Sequence, residues 1–296
     1  MKALRALLAA IVDYAGLFPP AALDMPAAVR NYAAYRASDD AWMLGRFVVP
    51  VSRLDEFRAA HEHLGDSSQP PWRLSALLGQ DVREDLRAIS AFNRRARGHV
   101  LIDTVEGRLA TETAMREARE LAGADLAIFA ELPPQPDSEP LIGAAGRTGV
   151  HVKLRTGGVT RAAFPSAEQV VQFIRACIDR GVRFKCTAGL HHPLTGEYRL
   201  TYQPTSEVGP MFGFLNVLLT AAAMLQGASD ADARRMLGER RVAALSSSDE
   251  ALRWEDTRLD ADVVERLRDD FAAAFGSCSF TEPLEGLREL ALLSPA

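Results

Sequence analysis

Short apolar runs rich in Val, Ile, Leu and Phe recur along the chain. Each is followed by a polar turn and then by a segment whose apolar residues return at helical spacing. The runs fall at 10–17, 43–50, 73–79, 99–106, 125–132, 150–156, 182–188 and 241–247, and each predicts a strand. Helical spacing is clear over 27–38, where Val29, Tyr32, Ala33 and Tyr35 align, and over 51–64, where Leu54, Phe57 and Ala60 do. It recurs at 84–97, 112–122, 166–180 and 262–275. Ser166 ahead of Glu168 and Ser52 ahead of Glu56 read as helix starts. Gly98, Gly123, Gly149 and Gly181 each precede a strand, where a helix C-cap favours a left-handed residue.

A repeated strand–helix–glycine–strand unit predicts parallel βαβ pairing, and eight such units close a (β/α)8 TIM barrel. The rival, an open doubly wound sheet, usually carries a glycine-rich phosphate fingerprint after its first strand; none is present. The expectation is therefore one α/β barrel domain over 1–296. Two departures from the repeat are expected: a helical insertion at 189–240 between strands seven and eight, and a helical C-terminal tail leading to 276–280. The insertion holds helical patterns at 213–225 and 230–238, and 133–140 reads as a proline-rich loop. The apolar stretch 211–225 contains Asn216 and falls short of the roughly 20 residues a membrane span needs. It reads as a buried helix, with a homodimer face as the alternative.

Composition narrows the partners. At 296 residues, with 48% hydrophobic and 25% charged residues, the chain can bury a large core without disulfides. The net charge of −5 and dispersed Lys and Arg leave no basic field for nucleic acid. Cys177, Cys186 and Cys278 are odd in number and widely spaced, against both a disulfide framework and a structural zinc site. The first ten residues are interrupted by Arg5 and predict a lead-in helix or strand rather than a signal peptide. A cytoplasmic protein with neither membrane nor nucleic-acid partner is expected.

Barrel chemistry gathers at the C-terminal strand ends. The polar residues there are Asp13 and Tyr14 on the first run, Asp103 and Glu106 on the fourth, Glu131 on the fifth, Lys153 and Arg155 on the sixth, and Lys185 and Thr187 on the seventh. His191 and His192 follow the seventh, and Ser246 and Ser247 end the eighth. Lysines within buried strands are costly unless partnered. An apolar wall and a second cation lower a lysine pKa and make the neutral amine a nucleophile toward carbonyls. The alternative is a structural ion pairing of Lys153 and Lys185 with Asp103 and Glu131. Arg155 suits a substrate carboxylate or phosphate, and Ser246 and Ser247 suit an anion site. Cys186 is expected on the outer face, buried against helices, and Cys278 in packing at the rim.

The ordered series resembles the class I, Schiff-base aldolase barrels, most of all the deoxyribose-phosphate aldolase family. The resemblance rests on Ile11-Val12-Asp13-Tyr14 with Leu17 and Pro19, on Ile102-Asp103, and on Glu131. It continues with Lys153 before Thr156-Gly157, Lys185 before Ala188-Gly189, and Arg241-Val242 before Ser246-Ser247. It spans all eight expected strands. By this resemblance, Lys153 forms the Schiff base, Lys185 lowers its pKa and Asp103 relays protons, without metal or cofactor. Asp13, Glu131, Arg155, Thr187, His191, His192, Ser246 and Ser247 would surround a small carbonyl substrate. Arg155 stands where the family has a small residue, and the long insertion has no family counterpart, so the resemblance implies a lyase for a different carbonyl compound. Two other readings stay open: a metal-dependent lyase or hydrolase using His191, Asp103 and Glu131, and a non-catalytic barrel that binds a ligand through its insertion.

Overall fold

The computed structural model describes residues 2–65, 70–96, 98–133 and 138–294. A lead-in helix, α1 (Lys2–Leu8), precedes β1 (Val12–Tyr14). Then follow α2 (Met25–Arg36), β2 (Leu44–Pro50), α3 (Leu54–Leu64), β3 (Trp72–Leu77), α4 (Val82–Arg95) and β4 (Val100–Gly107). The alternation goes on through α5 (Glu112–Ala122), β5 (Ala127–Leu132), α6 (Ser138–Thr148), β6 (His151–Arg155), α7 (Ala167–Asp179) and β7 (Phe184–Thr187).

The excursion after β7 contains a hairpin of β8 (Gly196–Arg199) and β9 (Val208–Met211), then helices α8 (Phe214–Leu225) and α9 (Asp230–Leu237). An antiparallel sheet of β10 (Leu245–Ser247), β11 (Ala251–Trp254) and β12 (Thr257–Asp260) comes next, followed by α10 (Ala261–Arg266). The chain re-enters the barrel as β13 (Ala272–Ser277) and continues into α11 (Thr281–Glu289). Eight parallel strands close in the order β1-β13-β7-β6-β5-β4-β3-β2, which is the (β/α)8 barrel.

Local signals explain much of this. Gly98, Gly123, Gly149 and Gly181 all adopt positive φ, between 63° and 82°, and turn each helix into the next strand. Ser166 caps α7 through Gln169, its capping-box partner, rather than through Glu168. Ser52 caps nothing: a single 3-10 turn over Val51–Arg53 precedes α3. Within the proline-rich 133–140 stretch, residues 134–137 lie outside the described residues, and α6 begins at Ser138. Position 97, at the end of the helix expected over 84–97, lies outside them too.

The eighth barrel strand is not 241–247. That segment forms a 3-10 turn over Val242–Ala244 and the strand β10, whose Ser246 and Ser247 pair with Arg253 and Leu252 outside the barrel. The eighth place belongs to 272–277, expected to end a helix because Ala is the strongest helix former. The helix does start at Ala261, but it loosens into a π-type turn at Leu267–Phe271, and the chain then enters the gap between β1 and β7. That gap wants small residues. A Cβ on Gly276 would lie 3.0 Å from Thr187 Oγ1. The excursion thus runs from 188 to 271 rather than 189 to 240, and it carries strands as well as helices.

Helix α8 is buried from Phe214 through Met224 within the chain, packed against α7, α9, α10, β12 and β13. Asn216 sits among its apolar neighbours because both polar ends of its side chain are hydrogen-bonded. Its Oδ1 accepts from Thr195 N–H, and its Nδ2 donates to the carbonyls of Met236 and Glu239. Among the described residues, no helix is long and apolar enough to cross a membrane.

Candidate active site

The barrel register places the two lysines side by side. Lys153 on β6 is level with Glu131 on β5 and with Lys185 on β7, and Arg155 is level with Thr187. Alternation then turns Lys153 and Arg155 to the same side of their strand. Both amines are almost wholly removed from solvent, at 4% exposed for Lys153 and 2% for Lys185. Burial at that depth demands partners, and the strand ends supply them.

Lys185 Nζ donates to Asp13 Oδ2 and to Glu106 Oε1, both at 2.6 Å. Lys153 Nζ contacts Glu106 Oε2 at 2.8 Å and Glu131 Oε2 at 2.7 Å. The result is one continuous chain: Asp13, Lys185, Glu106, Lys153, Glu131. Ser75 Oγ donates to Glu106 Oε1 at 2.6 Å from β3. Asp13 Oδ1 accepts the backbone N–H of Arg46. Gly45 makes that approach feasible, since a Cβ there would lie 2.4 Å from Asp13 Oδ1.

The electrostatics follow from two ammoniums among three carboxylates. Burial pushes the Glu106 carboxyl up, but both lysines outweigh it and hold Glu106 far below the usual carboxylate range. Burial likewise opposes charge on Lys185. The carboxylates of Asp13 and Glu106 override it and raise the Lys185 pKa above its ordinary value. For Glu131, burial is outweighed by Lys153, Arg155 and Arg108, so it too is lowered. The two amines do not face each other bare, as a simple depression of one by the other would require: a carboxylate stands between them.

The acid that bridges the lysines is Glu106, not Asp103. Thr104 is level with Ala127, the first residue of β5, so Asp103 lies toward the N-terminal end of the barrel. There it is held by Arg46 and Arg73, with Nε distances of 2.5 and 2.6 Å. A bulge at this point of the β3–β4 pairing separates it from the regular register. Glu106 had a signal in the sequence: it is the last polar residue before Gly107, nearer the catalytic end of the strand.

A cavity of about 520 Å³ opens above the lysines. Glu106, Glu131, Lys153, Lys185, Arg155 and Thr187 line its floor and near wall. Arg155 is half-exposed and only loosely engaged, 3.8 Å from Glu131 Oε1. The loops after β6 and β7 touch closely here. A Cβ on Gly157 would meet Gly189 Cα at 2.9 Å, and Ala188 and Gly189 both have positive φ.

The histidine pair divides its work. His191 Nδ1 lies 2.8 Å from Glu282 Oε2, while the His192 ring stacks on Tyr198 with centroids 3.6 Å apart. Burial, aided by His191, pushes His192 down to about 4. Both rings line the cavity, as do Glu282, Tyr198, Tyr202 and Cys278. Cys278 is 3.5 Å from the Tyr202 hydroxyl, and burial raises its thiol pKa. Cys186 is buried, as its place beside inward-facing Lys185 implied.

Ser246 and Ser247 are not brought to this site; Gly276 and Cys278 occupy the end of the eighth barrel strand instead. His191, Asp103 and Glu131 are likewise not brought together, each being engaged by a different partner. Among the described residues, no three His, Cys, Asp or Glu side chains are grouped to hold a metal ion. Glu282, Tyr198 and Tyr202 were missed in the sequence. They arrive from α11 and the β8–β9 hairpin, neither of which carries a strand-end motif. The chain matches no protein-family model, and no curated protein matches it.

Proposed function

We propose that the protein is a class I aldolase-like lyase in which Lys153 forms a Schiff base with a small carbonyl compound. The observation that carries this reading is the five-residue acid–base chain from Asp13 to Glu131, of which Lys185, Glu106, Lys153 and Glu131 line a cavity of about 520 Å³. A nucleophilic amine needs a nearby proton acceptor and an environment that tolerates the iminium it becomes. Lys153 has both.

Lys185 is the less suitable nucleophile, because both carboxylates that hold its proton, Asp13 and Glu106, are as deeply buried as it is and raise its pKa. Lys153 shares Glu106 with Lys185, so Glu106 is a poor base. Glu131, at the cavity edge and 17% exposed at its side chain, is the better acceptor for the Lys153 proton. After attack on the carbonyl, a second proton passes from the nitrogen to the new alkoxide to give the carbinolamine, and Glu131 returns the first to its hydroxyl, which departs as water. The iminium carries the same single positive charge as the original ammonium. It sits between Glu106 and Glu131, where that charge was already balanced, so the field need not reorganise. Lys185, anchored by Asp13, fixes the orientation of Glu106 beneath it.

Arg155 lies two residues beyond Lys153 on the same strand face, roughly 6.6 Å at strand rise. Its half-exposed guanidinium suits a carboxylate or phosphate a few bonds from the reacting carbonyl. The chemistry calls for no metal or cofactor.

Borohydride reduction with a panel of aldehydes, ketones and 2-oxo acids tests the reading. A mass adduct on Lys153, lost in Lys153→Arg, is the expected result; that variant keeps a cation between the two carboxylates. If no panel member leaves an adduct on Lys153, the proposal fails.

A further inference from the structure

Cleaving or forming a carbon–carbon bond next to a Schiff base requires a second acid–base group. It must reach the hydroxyl of the substrate's far half. The lysine chain does not provide it, because Glu106 and Glu131 are both committed to Lys153. We infer that His191, backed by Glu282, is that group.

His191 leaves β7 in the loop that follows it, and Glu282 lies in the first turn of α11, directly after β13. In the closed barrel β7 stands between β13 and β6, and the dyad and Lys153 line one cavity. Glu282 is secured from its own side, with its N–H donating to Ser279 Oγ. Its place at a helix start favours the ionised carboxylate. Burial would push that carboxyl up, but the hydrogen bond from His191 brings it below its ordinary value.

With Nδ1–H donating to Glu282, the ring is held in the tautomer whose Nε2 lone pair is free to accept a proton. Among the described residues Nε2 has no hydrogen-bond partner, and His191, 8% exposed, lines the cavity. His192 does not compete. Its ring is stacked on Tyr198, and its pKa near 4 leaves it neutral at physiological pH.

The step balances without any outside reagent and rests on the Lys153 reading. The β-hydroxyl gives its proton to His191 Nε2, and the O–H electron pair becomes the π bond of a departing aldehyde. The Cα–Cβ bond breaks, and its electrons form the enamine while neutralising the iminium on Lys153. Cα then takes a proton from solvent water in the cavity, His191 returns its proton to solvent, and hydrolysis of the restored iminium by water releases the second carbonyl product. The substrate class is therefore a β-hydroxy ketone or aldehyde, with its hydroxyl toward the β7–β13 side of the cavity.

The test uses the full chain with acetaldehyde, acetone and pyruvate as donors and glyceraldehyde as acceptor. Three readouts are taken: borohydride trapping on Lys153, exchange of donor α-hydrogens in deuterium oxide, and condensation product. His191→Asn should keep trapping and α-exchange within about twofold while condensation falls on the order of 100-fold. Glu282→Gln should keep trapping and lose on the order of tenfold in condensation, since the imidazole remains but its tautomer is no longer held. Unchanged condensation in His191→Asn would overturn the assignment, as would loss of trapping together with condensation. Failure of the wild-type chain to trap any donor is seen before a variant is made. It removes the Schiff-base reading and this one with it.

Discussion

Replacing Glu106 with glutamine keeps the shape of the side chain and removes the one charge that two buried ammoniums share. In the native protein Glu106 accepts from Lys185 at 2.6 Å, from Lys153 at 2.8 Å and from Ser75 at 2.6 Å. Glutamine offers a single acceptor oxygen and turns an N–H2 group toward a second donor, so at least one lysine loses a partner. Removing one member of a buried ion pair costs about 3–5 kcal/mol, and here each lysine retains one carboxylate, Asp13 or Glu131. A loss near 3 kcal/mol at neutral pH is expected.

The pH dependence has a definite sign. The Glu106 value is depressed below its ordinary 4.5, so its stabilisation is complete above that pH and is lost as pH falls toward the depressed value. Lys185 is raised above its ordinary 10.5, so its stabilisation is present below that pH and is lost only as pH rises past it. The stability gap between wild type and Glu106→Gln should therefore be flat through the neutral range and narrow below pH 4.5. Urea unfolding followed by circular dichroism at a series of pH values measures it. Adding Lys185→Met should show coupling of about 1–3 kcal/mol with Glu106→Gln. A gap under about 1 kcal/mol at neutral pH, or one that does not shrink in acid, would refute the ion-chain account.

Asp103→Asn should leave trapping at Lys153 within about twofold while lowering the melting temperature, because its carboxylate serves Arg46 and Arg73 rather than the lysines. Gly45→Ala forces a Cβ to within 2.4 Å of Asp13 Oδ1, so stability should drop by about 1–3 kcal/mol in denaturant titration. Trapping should slow with it, since Asp13 anchors Lys185. Asn216→Ala removes three hydrogen bonds inside the excursion and should cost about 2–4 kcal/mol by the same titration. With the cavity elsewhere, its trapping rate under native conditions should be unchanged.

Seven of the eight barrel strands were visible in the chain because each is an apolar run beside a segment of helical spacing, with Gly98, Gly123, Gly149 and Gly181 marking four of the turns, and all of these signals are local. The eighth was misplaced for a reason of the same kind. Its Ala272-Ala273-Ala274 start carries helix propensity, and 241–247 offered a rival run around Val242 and Leu245. Lys153, Lys185 and Glu131 could be paired in advance because adjacent parallel strands put them in register. Asp103 could not be told from Glu106 so easily. The two lie three residues apart, and a bulge at Asp103 takes it out of the register that Glu106 keeps.

What the sequence determined unaided is the repeating strand–helix order, the side-by-side lysines and the acids on neighbouring strands. Periodicity and alternation act over a few residues and need no knowledge of the rest of the chain. Only the tertiary structure decided which strand closes the ring, which carboxylate bridges the lysines and that Glu282 meets His191 across 91 positions. Those outcomes depend on competition among distant segments for one gap in the barrel and one set of buried charges. Local preference does not encode that competition.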